Sequence, residues 1–290
     1  MEYLLHILIL IGIYILLSVS LNLIVGYAGL LSIAHAAFYG VGAYVAALLA
    51  LKLNSPFLAN IVCAILLTGM LGVLVGVPSL RIKDDYFAIA TFAFQIITFS
   101  IMNNWVSLTN GPMGLPGIPT PVILGWQVNS HTDFLILIFL LCFIIVSFSL
   151  ILGHSPFGRI LKSIREDEIF TQALGKNIAF CKVAIFVIGA GMASVAGVIY
   201  AYYISFIDPT SFTVMESIFI ISIVIIGGAG NIWGSILGAA FLVILPEALR
   251  FLGMPSAIAA NMRQIFYGVL LVLCMLYCPQ GFLGEYSFEK

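Results

Sequence analysis

Few residues in this chain could do chemistry, and most of them fall in one stretch. Residues 153–182 hold five of the eleven Lys and Arg residues: Arg159, Lys162, Arg165, Lys176 and Lys182. The acids Glu166, Asp167 and Glu168 lie among them. This mixture could bind nucleotide or dock on a partner. Nucleotide binding fails on the motif, because Gly175-Lys176 lacks both the upstream glycine and the following Ser or Thr that a phosphate loop needs. No Ser-His-Asp set, His-rich zinc site or paired carboxylates occur elsewhere in an active-site arrangement. Cys274 and Cys278 are one helical turn apart, a spacing that could suit a metal, but no His or carboxylate accompanies them. The five cysteines read as small apolar side chains with no disulfide framework. The expectation is a non-enzymatic chain without a cofactor or metal.

The remaining polar residues of interest lie inside apolar runs. Ser32, His35 and Tyr39 recur at i, i+3 and i+7, and Thr91, Gln95 and Thr98 form a second stripe. Asn22 lies near the end of the first apolar run. In hydrocarbon such faces must point to protein or to a water-filled path, since an unsatisfied amide in lipid costs several kcal/mol. Two readings stay open for these six residues: interhelical hydrogen bonding, or a lining for a translocation path.

The elements that position these residues follow from composition. Charged residues make up 8% of the chain, against about 25% in soluble domains. That deficit excludes a soluble fold and predicts an all-α, polytopic transmembrane bundle. At about 20 apolar residues per span, it has room for roughly eight to ten membrane segments, some short or broken. One transmembrane domain covers 1–290, with the charged loop at about 153–182. The first run, 4–25, has no basic leader and no small-residue cleavage site, and reads as a retained helix. Further spans are expected at 30–51, 56–77, 86–103, 133–152 and 183–205, with a last one at 263–277. Between these, 218–226 is too short to span alone, and Gly227-Gly228-Ala229-Gly230 separates it from a second short helix ended by Pro246-Glu247. Thr213 and Glu216 have capping-box spacing before that run.

Small residues at every fourth position mark close helix packing: Gly72 and Gly76, Gly189 and Gly197, and Gly230, Gly234 and Gly238. The stretch 104–132 has no Lys or Arg, is dense in Gly and Pro, and predicts turns without regular structure. By the distribution of basic residues, 153–182 and the Arg81-Lys83 loop are cytoplasmic and 104–132 is outside. Arg250 then falls outside, against the trend. A count of nine segments places the N-terminus outside.

Within the charged loop, Ser155-Pro156 is a helix start. Glu166-Asp167-Glu168 can start a second short helix with acids at its positive end. Gly175 is a C-cap candidate. Ile169, Phe170, Ala173 and Leu174 give that helix apolar contact surface, either for a partner or for the protein's own body.

The order and spacing of several motifs resemble the LivM-type permease subunits of bacterial ABC importers for branched-chain amino acids, over nearly the whole chain. They include residues 22–32, 38–44 and 85–91, the glycine-rich 110–119, Gly158-Arg159, Arg165-Glu166-Asp167-Glu168, Ala173-Leu174-Gly175, Gly227-Gly228-Ala229-Gly230, Pro246-Glu247, and Arg263 with Pro279-Gln280-Gly281. The resemblance implies a multi-pass protein of the bacterial inner membrane. It implies pairing with a LivH-type permease, two cytoplasmic ATP-binding subunits and a periplasmic substrate-binding protein, and no nucleic acid. It also implies that 168–175 is the coupling helix that docks on the ATPase. Arg159, Arg165, Glu166, Asp167, Glu168, Phe170, Ala173 and Gly175 are then the coupling residues.

The resemblance leaves the substrate open to urea or short amides, which related permeases handle. An ion-coupled secondary carrier is the competing class. It should show an ionisable residue in mid-span, and the sequence places only His35 there, with the acids and other bases at span ends. A non-transporting scaffold is disfavoured by the two polar stripes.

Overall fold

The computed structural model describes residues 2–79, 84–123, 125–250, 268–269, 272–273, 276 and 280–283, the side chains of 84–85 and 248–250 excepted. The chain is a multi-pass membrane protein. Six described segments are long and apolar enough to cross a membrane: Glu2–Tyr27, His35–Leu53, Phe57–Ser79, Tyr86–Asn104, His131–His154 and Ile178–Ile204. Two shorter apolar helices, Val214–Gly227 and Ile232–Glu247, follow. The expected last span at 263–277, the Arg81-Lys83 loop, the Cys274/Cys278 pair and Arg263 lie outside the described residues, wholly or in the part that carries the expectation.

In chain order the helices are α1 (Glu2–Asn22), running into a π-helical turn at Leu23–Tyr27, α2 (His35–Leu53), α3 (Phe57–Ser79) and α4 (Asp84–Asn104). Then come a one-turn α5 (Val106–Thr109), α6 (His131–His154), α7 (Pro156–Glu166), α8 (Glu168–Ala173), α9 (Ile178–Ile204), α10 (Val214–Gly227) and α11 (Ile232–Arg250). The stretch after α4 is more regular than its Gly and Pro content suggests. Its Leu115–Pro116 pairs antiparallel with Phe206–Ile207 beyond α9, and Val122–Ile123 pairs with Trp126–Gln127.

The centre of the bundle is α1, α2 and α9, whose residues are mostly buried, whereas α3 and α6 turn much of their surface outward. Close approach is possible because the contact positions carry no side chain. A Cβ on Gly42 would come within 2.6 Å of the Ser194 Cα, and one on Gly197 within 2.8 Å of the Ala43 nitrogen. Gly189 abuts Ile24 of the π-turn, and Gly72 meets Val187 of α9. Gly76 is buried in α3. Gly234 and Gly238 sit against Gly227 of α10.

Four local expectations are corrected. The second span starts at His35, not 30, because Gly29 takes a left-handed turn (φ +71°) and the chain then runs non-helically to Ala34. Ser32 therefore precedes α2 and does not share its face. Pro78 and Pro246 lie inside α3 and α11 and do not end them. Thr213 makes no side-chain cap on α10, so the capping box is not formed.

Contacts across the bundle order the segments by depth. At one end Tyr3 bonds Glu247, and His6 Nδ1 lies 2.5 Å from Tyr203 Oη. At the opposite, basic end lie α7, α8 and the π-turn. Tyr14 is at the middle of the 26-residue segment Glu2–Tyr27, and Gln95 is near the middle of the 21-residue α4. Both touch the first turn of α10: Tyr14 Oη donates to Glu216 Oε1 at 2.7 Å, and Ser217 Oγ donates to Gln95 Oε1 at 3.3 Å. The start of α10 is thus at mid-depth. The backbone N–H of Ala36 donates to Ser217 Oγ at 3.0 Å, so the start of α2 lies there too. Two helix N-termini meet inside the bundle, and helix ends at such depth are where transporters build binding sites.

Candidate functional site

The mid-depth polar cluster is built from both predicted stripes. Gln95 Nε2 donates to the Phe212 carbonyl at 2.8 Å, satisfying backbone in the 3-10 turn Pro209–Phe212 that leads into α10. Thr91 Oγ1 accepts from the Ile33 N–H at 3.1 Å and donates to Ala88 O at 2.9 Å. It therefore holds the non-helical approach to α2. Thr98 is buried on the same helix. Ser32 Oγ accepts weakly from the Ala34 N–H at 3.4 Å.

His35 is fully buried, with Nε2 2.7 Å from Ser20 Oγ. Ser20 Oγ also lies 2.8 Å from Leu17 O, so it links the His35 ring to the backbone of α1. The His35 Nδ1 and the Tyr44 hydroxyl have no hydrogen-bond partner among the described residues. Structure brings His35, Thr91 and Gln95 around one pair of helix starts. Non-helical backbone at this depth is tolerated only where protein groups satisfy it, and these side chains do so.

Asn22 belongs to a different junction. Its Nδ2 donates to Asn231 O and lies 2.8 Å from Ser235 Oγ, and its Oδ1 accepts from Gly230 N–H at 2.8 Å. It pins the tight turn between α10 and α11, where Gly230 adopts φ +88°.

The basic end holds the charged loop. Ser155 caps α7 by accepting from Gly158 N–H at 3.2 Å, and Asp167 caps α8 by accepting from Phe170 N–H at 2.9 Å. Gly175 follows α8 in the left-handed conformation (φ +76°) and donates to Gln172 O at 2.9 Å. Ser163 and Thr171 tie α7 to α8 at 2.7 Å, and Lys182 Nζ meets Glu168 Oε2 at 2.8 Å, tying α8 to α9. Lys162 lies over the Tyr27 ring at 5.2 Å from its centroid. On the outer side, Ile169, Phe170 and Leu174 are 80%, 60% and 59% exposed. Arg159, Glu166, Ala173 and Gly175 are also exposed.

Arg165 points the other way. Its guanidinium is 10% exposed, donates from Nη1 to the Gly26 carbonyl, and pairs with Glu166 at 2.9 Å. A Cβ on Gly230 would lie 3.1 Å from that Nη1. The charged loop, the π-turn and the α10–α11 turn therefore meet at Arg165.

Sequence reasoning missed two residues. Tyr14 and Glu216 form a mid-depth pair, whereas the sequence reading placed His35 alone there. The available signal was an acid in the first turn of an apolar helix too short to span. The capping-box spacing gave it a local explanation that the structure removes.

Helix starts that meet at mid-depth in a multi-pass helical bundle are an arrangement that transport proteins use. The family described as "Branched-chain amino acid transport system / permease component" matches residues 3–275. LivM, a high-affinity branched-chain amino acid transport system permease protein of Escherichia coli (strain K12), is 35% identical over 93% of this chain and 68% of its own length. A probable LivM of Methanocaldococcus jannaschii is 28% identical over 94% of this chain and 91% of its own. LivH of E. coli (strain K12) is 27% identical over 96% and 93%. No solved structure matches the chain. The chain belongs to the branched-chain amino acid transport permease family, and its role is that of a non-enzymatic permease.

Proposed function

We propose that the protein is the LivM-type permease subunit of an ATP-driven importer of branched-chain amino acids in a bacterial inner membrane. It supplies half of the translocation path within a single permease domain, 1–290. A LivH-type permease supplies the other half, two ATP-binding subunits sit at the cytoplasmic end, and a periplasmic binding protein delivers substrate. Family membership and the relatives' names support the substrate and the permease pair.

The observation that carries the ATP-driven reading is α8. A short helix is capped at its start and fastened to α7 and α9, yet it presents Ile169, Phe170 and Leu174 to solvent. An apolar face that the protein's own body leaves uncovered suits a groove on a partner, and the chain has no phosphate-binding motif of its own. Phe170→Asp in the assembled importer removes this contact without touching the fold. Binding-protein-stimulated ATP hydrolysis and leucine uptake should both fall about tenfold, the effect of losing one buried aromatic anchor. Unchanged ATPase and uptake in that variant would count against the docking role. Charge reversal at Glu168 is a less selective test, because it sets like charge against the nearly buried Lys182.

A further inference from the structure

Glu216 has no assigned role. Its spacing to Thr213 fits a capping box, but the Thr213 side chain caps nothing. The carboxylate instead accepts from Tyr14 Oη at 2.7 Å, halfway along α1. No Lys, Arg or His among the described residues pairs with it. A carboxylate at mid-depth is costly and marks a substrate or ion path unless a cation neutralises it. Among the described residues, a hydroxyl and aromatic rings lie around it, and no cation.

The surroundings favour a positively charged guest. Phe219 sits edge-on to Tyr14 at 5.1 Å between ring centroids, and Tyr39 and Tyr200 are 5.4 Å apart. Both rings sit edge-on to Phe212, in the turn that leads into α10 and Glu216. From Tyr200 a hydroxyl chain leads away: Tyr200 Oη donates to Ser211 Oγ at 3.3 Å, and Ser211 Oγ donates to Asp208 Oδ1 at 2.7 Å. Asp208 follows the strand Phe206–Ile207, which pairs with the cation-free region after α4. Acid, hydroxyls and aromatic faces thus run from the end of the molecule opposite the charged loop to mid-depth. A primary ammonium is bound well by such groups, through charge-assisted hydrogen bonds and ring faces. Glu216 is only half-buried and neighbours the exposed Met215 and Ile218.

We infer that Glu216, oriented by Tyr14, accepts the α-ammonium group of the transported amino acid at mid-depth. The inference rests on the amino-acid reading above, and its test separates the two. In the purified permease complex, the carboxyl-directed reagent dicyclohexylcarbodiimide should label Glu216, and Glu216→Gln should abolish that label. L-leucine and 3-methylbutylamine should each protect the site, and 4-methylpentanoate, which keeps the carboxylate and lacks the amine, should not. Protection by the acid alone, or by none of the three, overturns the inference. Protection by the amine in a wild-type importer that takes up no leucine would leave the ammonium site standing and remove the amino-acid reading. In proteoliposomes Glu216→Gln should lower leucine transported per ATP hydrolysed about tenfold, the equivalent of one charge-assisted hydrogen bond, with Glu216→Asp recovering part of it. A wild-type ratio in Glu216→Gln overturns the inference as well.

Discussion

Arg165 of the charged loop donates to the carbonyl of Gly26 in the π-turn that ends the first span, and its guanidinium also packs against Gly230. A residue from the element outside the membrane is thereby lodged between two segments of the bundle. Arg165 is thus the contact by which α7 meets the end of α1 and the α10–α11 turn. The two helices that start at mid-depth connect to the same region, α2 through 29–34 and α10 through its last turn.

Arg165→Ala removes a buried donor and leaves the Gly26 carbonyl to lose its partner, at a cost of about 1–3 kcal/mol. Assembly should survive, and uptake should fall further than ATP hydrolysis. Arg165→Lys can still reach one carbonyl but not the fork geometry, so it should recover part of the uptake. Parallel measurement of complex yield, ATPase and uptake checks this. Equal loss in all three would make Arg165 a folding residue.

Asn22→Leu leaves the Gly230 N–H unsatisfied and removes one of the two bonds to the Asn231 carbonyl, which keeps the Ser235 N–H. Individual side-chain hydrogen bonds within membranes average about 0.6 kcal/mol, and orphaned backbone groups cost more, so roughly 2–3 kcal/mol of stability should be lost. Asn22→Asp can still accept from Gly230 but cannot donate to Asn231, and it buries a charge. It should be at least as damaging. Thermal unfolding in detergent ranks the two variants against the wild type.

Gly197→Val tests the closeness of α2 and α9. A Cβ there already meets the Tyr39 carbonyl and the Ala43 nitrogen, and both are backbone that cannot swing away. The helices must separate, and overpacking costs of about 1–3 kcal/mol or more are expected. Gly69→Ala is the control, since its Cβ would find ordinary contact with Val187 at 3.5 Å. Yield of folded protein should drop for Gly197→Val and hold for Gly69→Ala.

These junctions differ in how far the sequence exposes them. The caps at Ser155 and Asp167 are local, formed with groups three residues away, so residue order alone reveals α7 and α8. The small-residue ladders are legible because packing without side chains repeats every fourth position. The start of α2 is not legible: Leu30, Leu31 and Ile33 are as apolar as a helix, and hydropathy does not separate helical from non-helical apolar chain. The partners of Asn22, and the Gly26 carbonyl that Arg165 reaches, lie more than a hundred residues away in sequence, and no local pattern encodes them. For Glu216 the capping-box spacing supplied a sufficient local reason, and its depth emerged only from its contact with Tyr14.

Gln95 is where packing and path meet, and a single substitution distinguishes them. Its amide satisfies the Phe212 carbonyl and accepts from Ser217, whose own oxygen holds the Ala36 N–H at the start of α2. Gln95→Leu keeps the volume and removes both bonds, so the two helix starts lose their shared tie to α4. If the amide only stabilises the fold, the variant loses about 1–3 kcal/mol, less protein assembles, and each assembled importer works normally. If the cluster must also rearrange as substrate passes, uptake per assembled complex falls as well. We expect the second result, because the residues tied by Gln95 flank the Glu216 carboxylate directly at Ser217. Leucine uptake normalised to the amount of assembled complex decides it, and a normal value per complex would make Gln95 a packing residue.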